Sequence, residues 1–158
     1  MGLKEIFKQA DNQEWYTPIE PIKEYLDLIN IPKDKIIWCP CDTMESNFVK
    51  ELRSRGYLVI ASHINWGSDF YNFEPEKWDV LITNPPFKHK RLFIERCLSF
   101  NKPFHLLYGC SIFCQSLGNT LNKCDFYFIQ KAIKFFNGDK TNKFLCCWIR
   151  RKLCIEKK

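Results

Sequence analysis

Two short stretches carry residue types suited to chemistry. The first is Thr83-Asn84-Pro85-Pro86-Phe87, which directly follows the apolar run WDVLI. Asn84 brings a side-chain amide, and Pro85 and Pro86 hold φ nearly fixed, so the turn keeps its shape. Phe87 ends the turn with an aromatic ring. Lys88, His89, Lys90 and Arg91 come next. That charge run commonly solvates a helix start, and Lys88, Lys90 and Arg91 could also meet a phosphate backbone, a nucleic-acid contact that gains weight only from the role of the neighbouring turn. The second stretch, WCPCDTMESNF at residues 38–48, lies between an apolar run and a helical pattern, where a cofactor-binding loop is expected. It has no glycine, yet small side chains and a helix N-terminus can also let a ligand approach the backbone. Cys39, Cys41, Thr43 and Ser46 are small, Pro40 stiffens the turn, and Asp42 supplies a carboxylate suited to an ammonium group.

The elements that position these stretches follow from periodicity and turn chemistry. Ile19, Ile22, Leu26 and Ile29 recur at helical spacing, with Pro18 and Pro21 confined to the start. Residues 36–39 form a short apolar run suited to a buried strand. Ser46 caps a helix through Leu52, with Phe48, Val49 and Leu52 inward and Gly56 at its end. Residues 57–62 and 78–83 are the next strands, a helix covers about 89–100, and 103–108 is a fourth strand. Residues 125–130, 132–136 and 143–149 read as two or three strands around NGDK, whose Asn137-Gly138 signals a hairpin. Strands alternating with helices and ending in a hairpin imply a mostly parallel α/β sheet closed by an antiparallel edge. Ligand chemistry then belongs at the carboxyl ends of the strands, where WCPCDT and TNPPF both fall.

Composition bounds the possibilities. A chain of 158 residues fits one domain with one sizeable core. Hydrophobic residues at 46% and aromatics at 16% provide ample core material, which argues against disorder. The longest apolar runs, such as 144–149, are far too short to span a bilayer, and residues 1–11 lack the apolar centre of a signal peptide. These features predict a soluble, cytoplasmic protein. The net charge of +6 suits a polyanionic partner. Nine cysteines without a secretory signal point to reduced thiols. Cys39 and Cys41 are one residue apart and Cys146 and Cys147 are adjacent, so zinc spacing is lacking, no metal is expected, and most thiols read as small core hydrophobes.

EWYTP near the start, GSDF after the second strand and the strand ending in NPPF occur in an order that resembles class I S-adenosylmethionine-dependent methyltransferases of the N6-adenine type. The likeness is to the small NPPF-containing enzymes of phages and bacteria. It implies a single-domain Rossmann-like methyltransferase fold over 1–158, with S-adenosyl-L-methionine as cofactor, DNA or RNA as substrate, and 1–17 as a segment covering the cofactor. By this resemblance Trp15, Tyr16 and Thr17 cover the methionine end of the cofactor, and Cys39, Pro40 and Asp42 belong to its loop; read from the residues alone, EWYTP is a helix entry in which Thr17 caps and Pro18 takes the first turn. Asp69 and Phe70 meet its adenine, or equally form a solvated turn with Phe70 tucked into the core. His63 stands where relatives place an acidic residue on the ribose hydroxyls; an imidazole can still bond a hydroxyl, but the residue reads first as a capped or partly buried structural histidine. An adenine amino nitrogen is a poor nucleophile because its lone pair is delocalised into the ring. The resemblance has the Asn84 side-chain oxygen and the Pro85 carbonyl each accept one amino hydrogen, with Pro86 and Phe87 completing the site, so that the lone pair is aimed at the methyl group.

The same turn serves methyltransferases that act on glutamine amides. Two departures from the family stand out: the glycine-free loop, and the lack of a segment long enough for a separate target-recognition domain. The chain would then be weakly sequence-specific, act on structured RNA, or borrow specificity from a protein partner. A catalytically silent fold that binds nucleic acid or a protein, such as a phage or mobile-element counter-defence factor, is the alternative from another class.

Overall fold

The computed structural model describes residues 16–152. Three α-helices lie among the described residues, α1 (Ile19–Leu28), α2 (Asn47–Ser54) and α3 (Lys90–Ser99). Eight strands accompany them: β1 (Ile36–Cys39), β2 (Leu58–Ala61), β3 (Val80–Thr83), β4 (Phe104–Gly109), β5 (Cys124–Phe128), β6 (Ile133–Asn137), β7 (Lys140–Phe144) and β8 (Cys146–Arg151). The main sheet runs β2-β1-β3-β4-β8-β5. Its first four strands are mutually parallel, as expected for strands connected through helices.

Side-chain alternation divides the core between the two faces of the sheet. Ile37, Cys39, Val80, Ile82, Leu107 and Trp148 join the helix faces of α1 and α2 on one side. Trp38, Leu81, Leu106, Tyr108, Cys147 and Ile149 join Phe93, Ile94 and Cys97 of α3 on the other. Tyr25 stacks on Trp148 with ring centres 4.0 Å apart, and Trp38 lies 5.1 Å from Trp78. The predicted cap at Ser46 is present, its hydroxyl accepting from Phe48 N at 3.1 Å. Gly56 closes the same helix at φ +89°, a conformation that disfavours any residue with a Cβ.

The C-terminal third departs from the expected strands. Residues 143–149 are two strands, because Phe144 ends β7 while Cys146 starts β8, leaving Leu145 57% exposed between them. The reason is a change of partner: β7 pairs with β6, whereas β8 enters the main sheet antiparallel between β4 and β5. The antiparallel strand is therefore internal, and β5 forms the edge. The β6–β7 hairpin is a separate two-stranded sheet, tied to Tyr16 through reciprocal backbone hydrogen bonds with Phe136 of 2.7 and 3.1 Å.

All eight described cysteines are free thiols, and Cys39, Cys97, Cys124, Cys146 and Cys147 are buried. Burial pushes Cys146 and Cys147 up to about 12, so both stay protonated in the interior. No described helix is long and apolar enough to cross a membrane.

Candidate active site

A cavity of about 610 Å³ opens at the carboxyl ends of β1, β2 and β3. Besides Tyr16 and Thr17 ahead of α1, it gathers three chain segments that the sequence keeps far apart: the loop after β1, the turn after β2 and the NPPF turn after β3. Of the residues singled out from the sequence, Tyr16, Thr17, Pro40, Asp42, His63, Asp69, Phe70, Asn84, Pro85, Pro86, Phe87 and Lys88 line it. Cys41, Thr43, Ser46 and His89 line it as well.

The glycine-free loop is braced by its own acid. Asp42 is buried, and its carboxylate accepts Ser46 Oγ at 2.6 Å through Oδ1 and Thr83 Oγ1 at 2.8 Å through Oδ2. One carboxylate therefore joins the loop, the cap of α2 and the last residue of β3. Pro40 enters on the sheet side, where its carbonyl accepts from Ser62 Oγ at 3.4 Å.

Asn84 sits on the cavity wall with its amide nitrogen donating to Thr17 Oγ1 at 3.1 Å. Thr17 is buried, and its carbonyl accepts from Asn47 Nδ2 at 2.8 Å, which fixes the entering chain to the first residue of α2. The sequence suggests a helix cap for this threonine, but α1 has Pro18 at its cap and no side-chain cap hydrogen bond. Thr17 instead holds the amide of Asn84. Pro85 is buried below, while Pro86 and Phe87 reach the mouth, Phe87 with its ring 6.0 Å from Phe144 of the hairpin.

The third segment follows β2. His63 is buried and caps the short turn Ile64–Trp66, its Nδ1 accepting from Asn65 N at 3.1 Å, which places the proton of a neutral ring on Nε2. Asp69 caps its own turn, accepting from Tyr71 N at 3.1 Å and from Asn72 Nδ2 at 3.3 Å. Phe70 is a core residue stacked on Phe93 at 4.1 Å, with one part of it reaching the cavity. Tyr71 lies beside them on the cavity wall, and burial, then Cys41 and Asp69, raises its hydroxyl above the usual phenol value, so it remains a donor. Arg96 of α3 anchors this whole turn by donating to Phe70 O at 2.7 Å and Phe73 O at 3.4 Å.

Three residues fall elsewhere. Cys39 is the last residue of β1 and points into the core beneath α1 and α2, because strand alternation sends its side chain away from the loop. Lys90 and Arg91 do not line the cavity, and Arg91 pairs with Glu95 at 2.8 Å. Trp15 lies outside the described residues. Glu45, Asn47, Phe48, Ile64, Tyr71 and Phe93 line the cavity without having been singled out. The position of Asn47 at the start of a capped helix beside the loop is a signal that could have found it. Phe93, buried inside a helix pattern, gives none. Among the described residues, no three His, Cys, Asp or Glu side chains cluster so as to hold a metal.

No family model and no curated protein matches the chain. Among solved structures, a dimethyladenosine transferase from Plasmodium falciparum is similar, with a TM-score of 0.57 and 15% identity over 88% of this chain and 64% of that one. The chain thus spans less than two thirds of that protein. A precorrin-6y C5,15-methyltransferase from Geobacter metallireducens GS-15 aligns with a TM-score of 0.48 and 10% identity, over 90% of this chain and 96% of that one. With its mostly parallel six-stranded sheet, internal antiparallel strand and separate hairpin, the chain has a Rossmann-like methyltransferase fold.

Proposed function

We propose that the protein is an S-adenosylmethionine-dependent methyltransferase that acts on the N6 amino group of adenine in nucleic acid. The observation that carries this reading is the placement of Asn84, held by Thr17, on the wall of one cavity shared with the β1 loop and the Asp69-Phe70 turn. The cavity fits the donor. Its volume lies within the several hundred Å³ usual for small-molecule sites. Phe70 and Ile64 give apolar walls for a purine, and Asp69, His63 and Tyr71 bring polar groups on the same turn. Asp42 and the capped start of α2 lie on the other loop, suited to the ammonium and carboxylate of an amino-acid end.

Bound there, S-adenosylmethionine supplies a methyl group on a positively charged sulfur. Transfer would form a nitrogen–carbon bond as the carbon–sulfur bond breaks with its electron pair left on sulfur, and one amino proton would pass to solvent, so the task left to the chain is to position the amino group. Asn84 and the Pro85 carbonyl supply the two acceptors that draw the amino group out of conjugation. With Nδ2 donated to Thr17, the amide oxygen is the atom turned the other way. Two prolines fix the carbonyl, and exposed Phe87 at the mouth stacks an extruded base. The fold of a dimethyladenosine transferase supports an adenine acceptor. Lys88 on the rim supports a phosphate-bearing substrate.

Calorimetric titration with S-adenosylmethionine, followed by transfer of a radiolabelled methyl group to DNA, RNA and protein pools, tests this reading. Binding with label in a nucleic acid is expected. No binding at millimolar donor would overturn the enzyme and leave a silent nucleic-acid-binding fold; label in protein alone would point to a glutamine amide.

A further inference from the structure

We propose that the outer face of the β6–β7 hairpin grips an unpaired nucleic-acid strand beside the target nucleotide. This deepens the function proposed above and rests on it for the class of partner. The hairpin sequence KAIKFFNGDKTNKF, residues 131–144, has four lysines and a single acid, Asp139. Pairing in the hairpin sets Lys134 directly opposite Lys143 and Phe136 opposite Thr141. Directly opposed residues of an antiparallel pair share a face, so Lys134, Phe136, Thr141 and Lys143 stand together, while Ile133 and Phe135 turn into the core.

Two like charges set opposite each other destabilise a sheet pair. The arrangement is compensated when an anion sits between them. The aromatic residues point the same way. Phe136 is exposed with Lys134 Nζ 5.8 Å from its ring centre, and Tyr16, its bridge partner on the neighbouring segment, is 56% exposed. Exposed rings beside the Lys134–Lys143 pair make a platform for stacked bases and a contact for phosphates. At its other end the hairpin abuts the mouth of the cavity, where Phe144 meets Phe87. A strand of five residues is roughly 17 Å long, enough for two or three extended nucleotides. Bases can reach these rings only when they are unpaired, as the target adenine must also be.

The test is fluorescence anisotropy with labelled oligoadenylate and oligodeoxyadenylate about a dozen nucleotides long, each single-stranded and as a duplex. Single strands should bind better than duplexes, and the preferred sugar identifies the natural substrate. Lys134→Glu and Lys143→Glu should each weaken binding about tenfold, and replacing both lysines with Ala should reduce the slope of log affinity against log salt by about 1.4. Neither Glu variant should melt lower than the parent, because each puts opposite charges across the pair. Unchanged affinity in both Glu variants, or a preference for duplex, overturns the proposal. The two readings fail separately: lysine-dependent binding without donor binding sinks only the enzyme, and methyl transfer indifferent to both lysines sinks only the hairpin.

Discussion

Thr83 Oγ1 donates to Asp42 Oδ2 at 2.8 Å, joining the end of β3 to the loop after β1 across 41 residues of sequence. The same carboxylate holds Ser46 at 2.6 Å, so the acid does the work of shaping the loop that glycine does in other loops of this kind. Asp42→Ala strands two hydroxyls in a buried site. It should cost about 2 kcal/mol, lower the melting temperature by about 4–8 °C, and weaken donor binding. Urea unfolding and donor titration check both effects; a variant as stable as the parent would show that the brace contributes nothing.

Thr17 and Asn84 should act as a unit in catalysis. Asn84→Ala is expected to reduce turnover about a thousandfold while donor affinity stays near the parent value. Thr17→Val removes the hydroxyl that orients the amide and should lower turnover about tenfold, while Thr17→Ser restores it. Asn84→Asp has two equivalent oxygens, so the effect of Thr17→Val should shrink in that background. Single-turnover methyl transfer in the four proteins reads the coupling, and purely additive losses would refute it.

Phe87 is 42% exposed at the mouth, where it can stack a base without supporting much of the core. Phe87→Ala should raise KM for the nucleic acid about tenfold to a hundredfold with little change in melting temperature, and Phe87→Trp should stay near the parent. If KM is unchanged in the Ala variant, the extruded base rests elsewhere.

His105 gives the fold an acid limit. Tyr25 Oη lies 2.6 Å from its Nδ1, and burial, reinforced by Arg150, lowers the imidazole from 6.5 to about 4. Tyr25 is itself raised to about 12 by burial and so stays protonated across this range. The folded ring is neutral where the unfolded one takes up a proton, so this contribution is complete above about pH 6.5 and is lost as pH falls toward 4. The slope approaches 1.4 kcal/mol per pH unit in that window. His105→Gln should unfold with a flatter pH dependence than the parent between those values, as measured by urea midpoints; parallel curves would exclude His105 as the cause.

Local signals in the sequence already specify most elements and the turn that carries Asn84. Helical spacing of Ile22 and Leu26, the Ser46 cap, Gly56 and Asn137-Gly138 act over a few residues, and each is found in place. The apolar run 144–149 contains no break, so nothing local separates β7 from β8; only competition between β6 and β4 for the same segment divides it. Cys39 and Cys41 look alike in sequence, but strand parity buries one in the core and the loop brings the other to the cavity.

By itself the sequence determined which residues could do chemistry and that they follow strands, because side-chain type, periodicity and proline stiffness are short-range properties. The tertiary structure alone decided that Asp42 meets Thr83, that Thr17 holds Asn84, that Arg96 anchors the Asp69 turn and that the hairpin lies against Phe87. Those contacts link positions between 26 and 67 residues apart. They exist because the parallel sheet brings the carboxyl ends of its strands to one edge, a geometry that no short stretch of chain encodes.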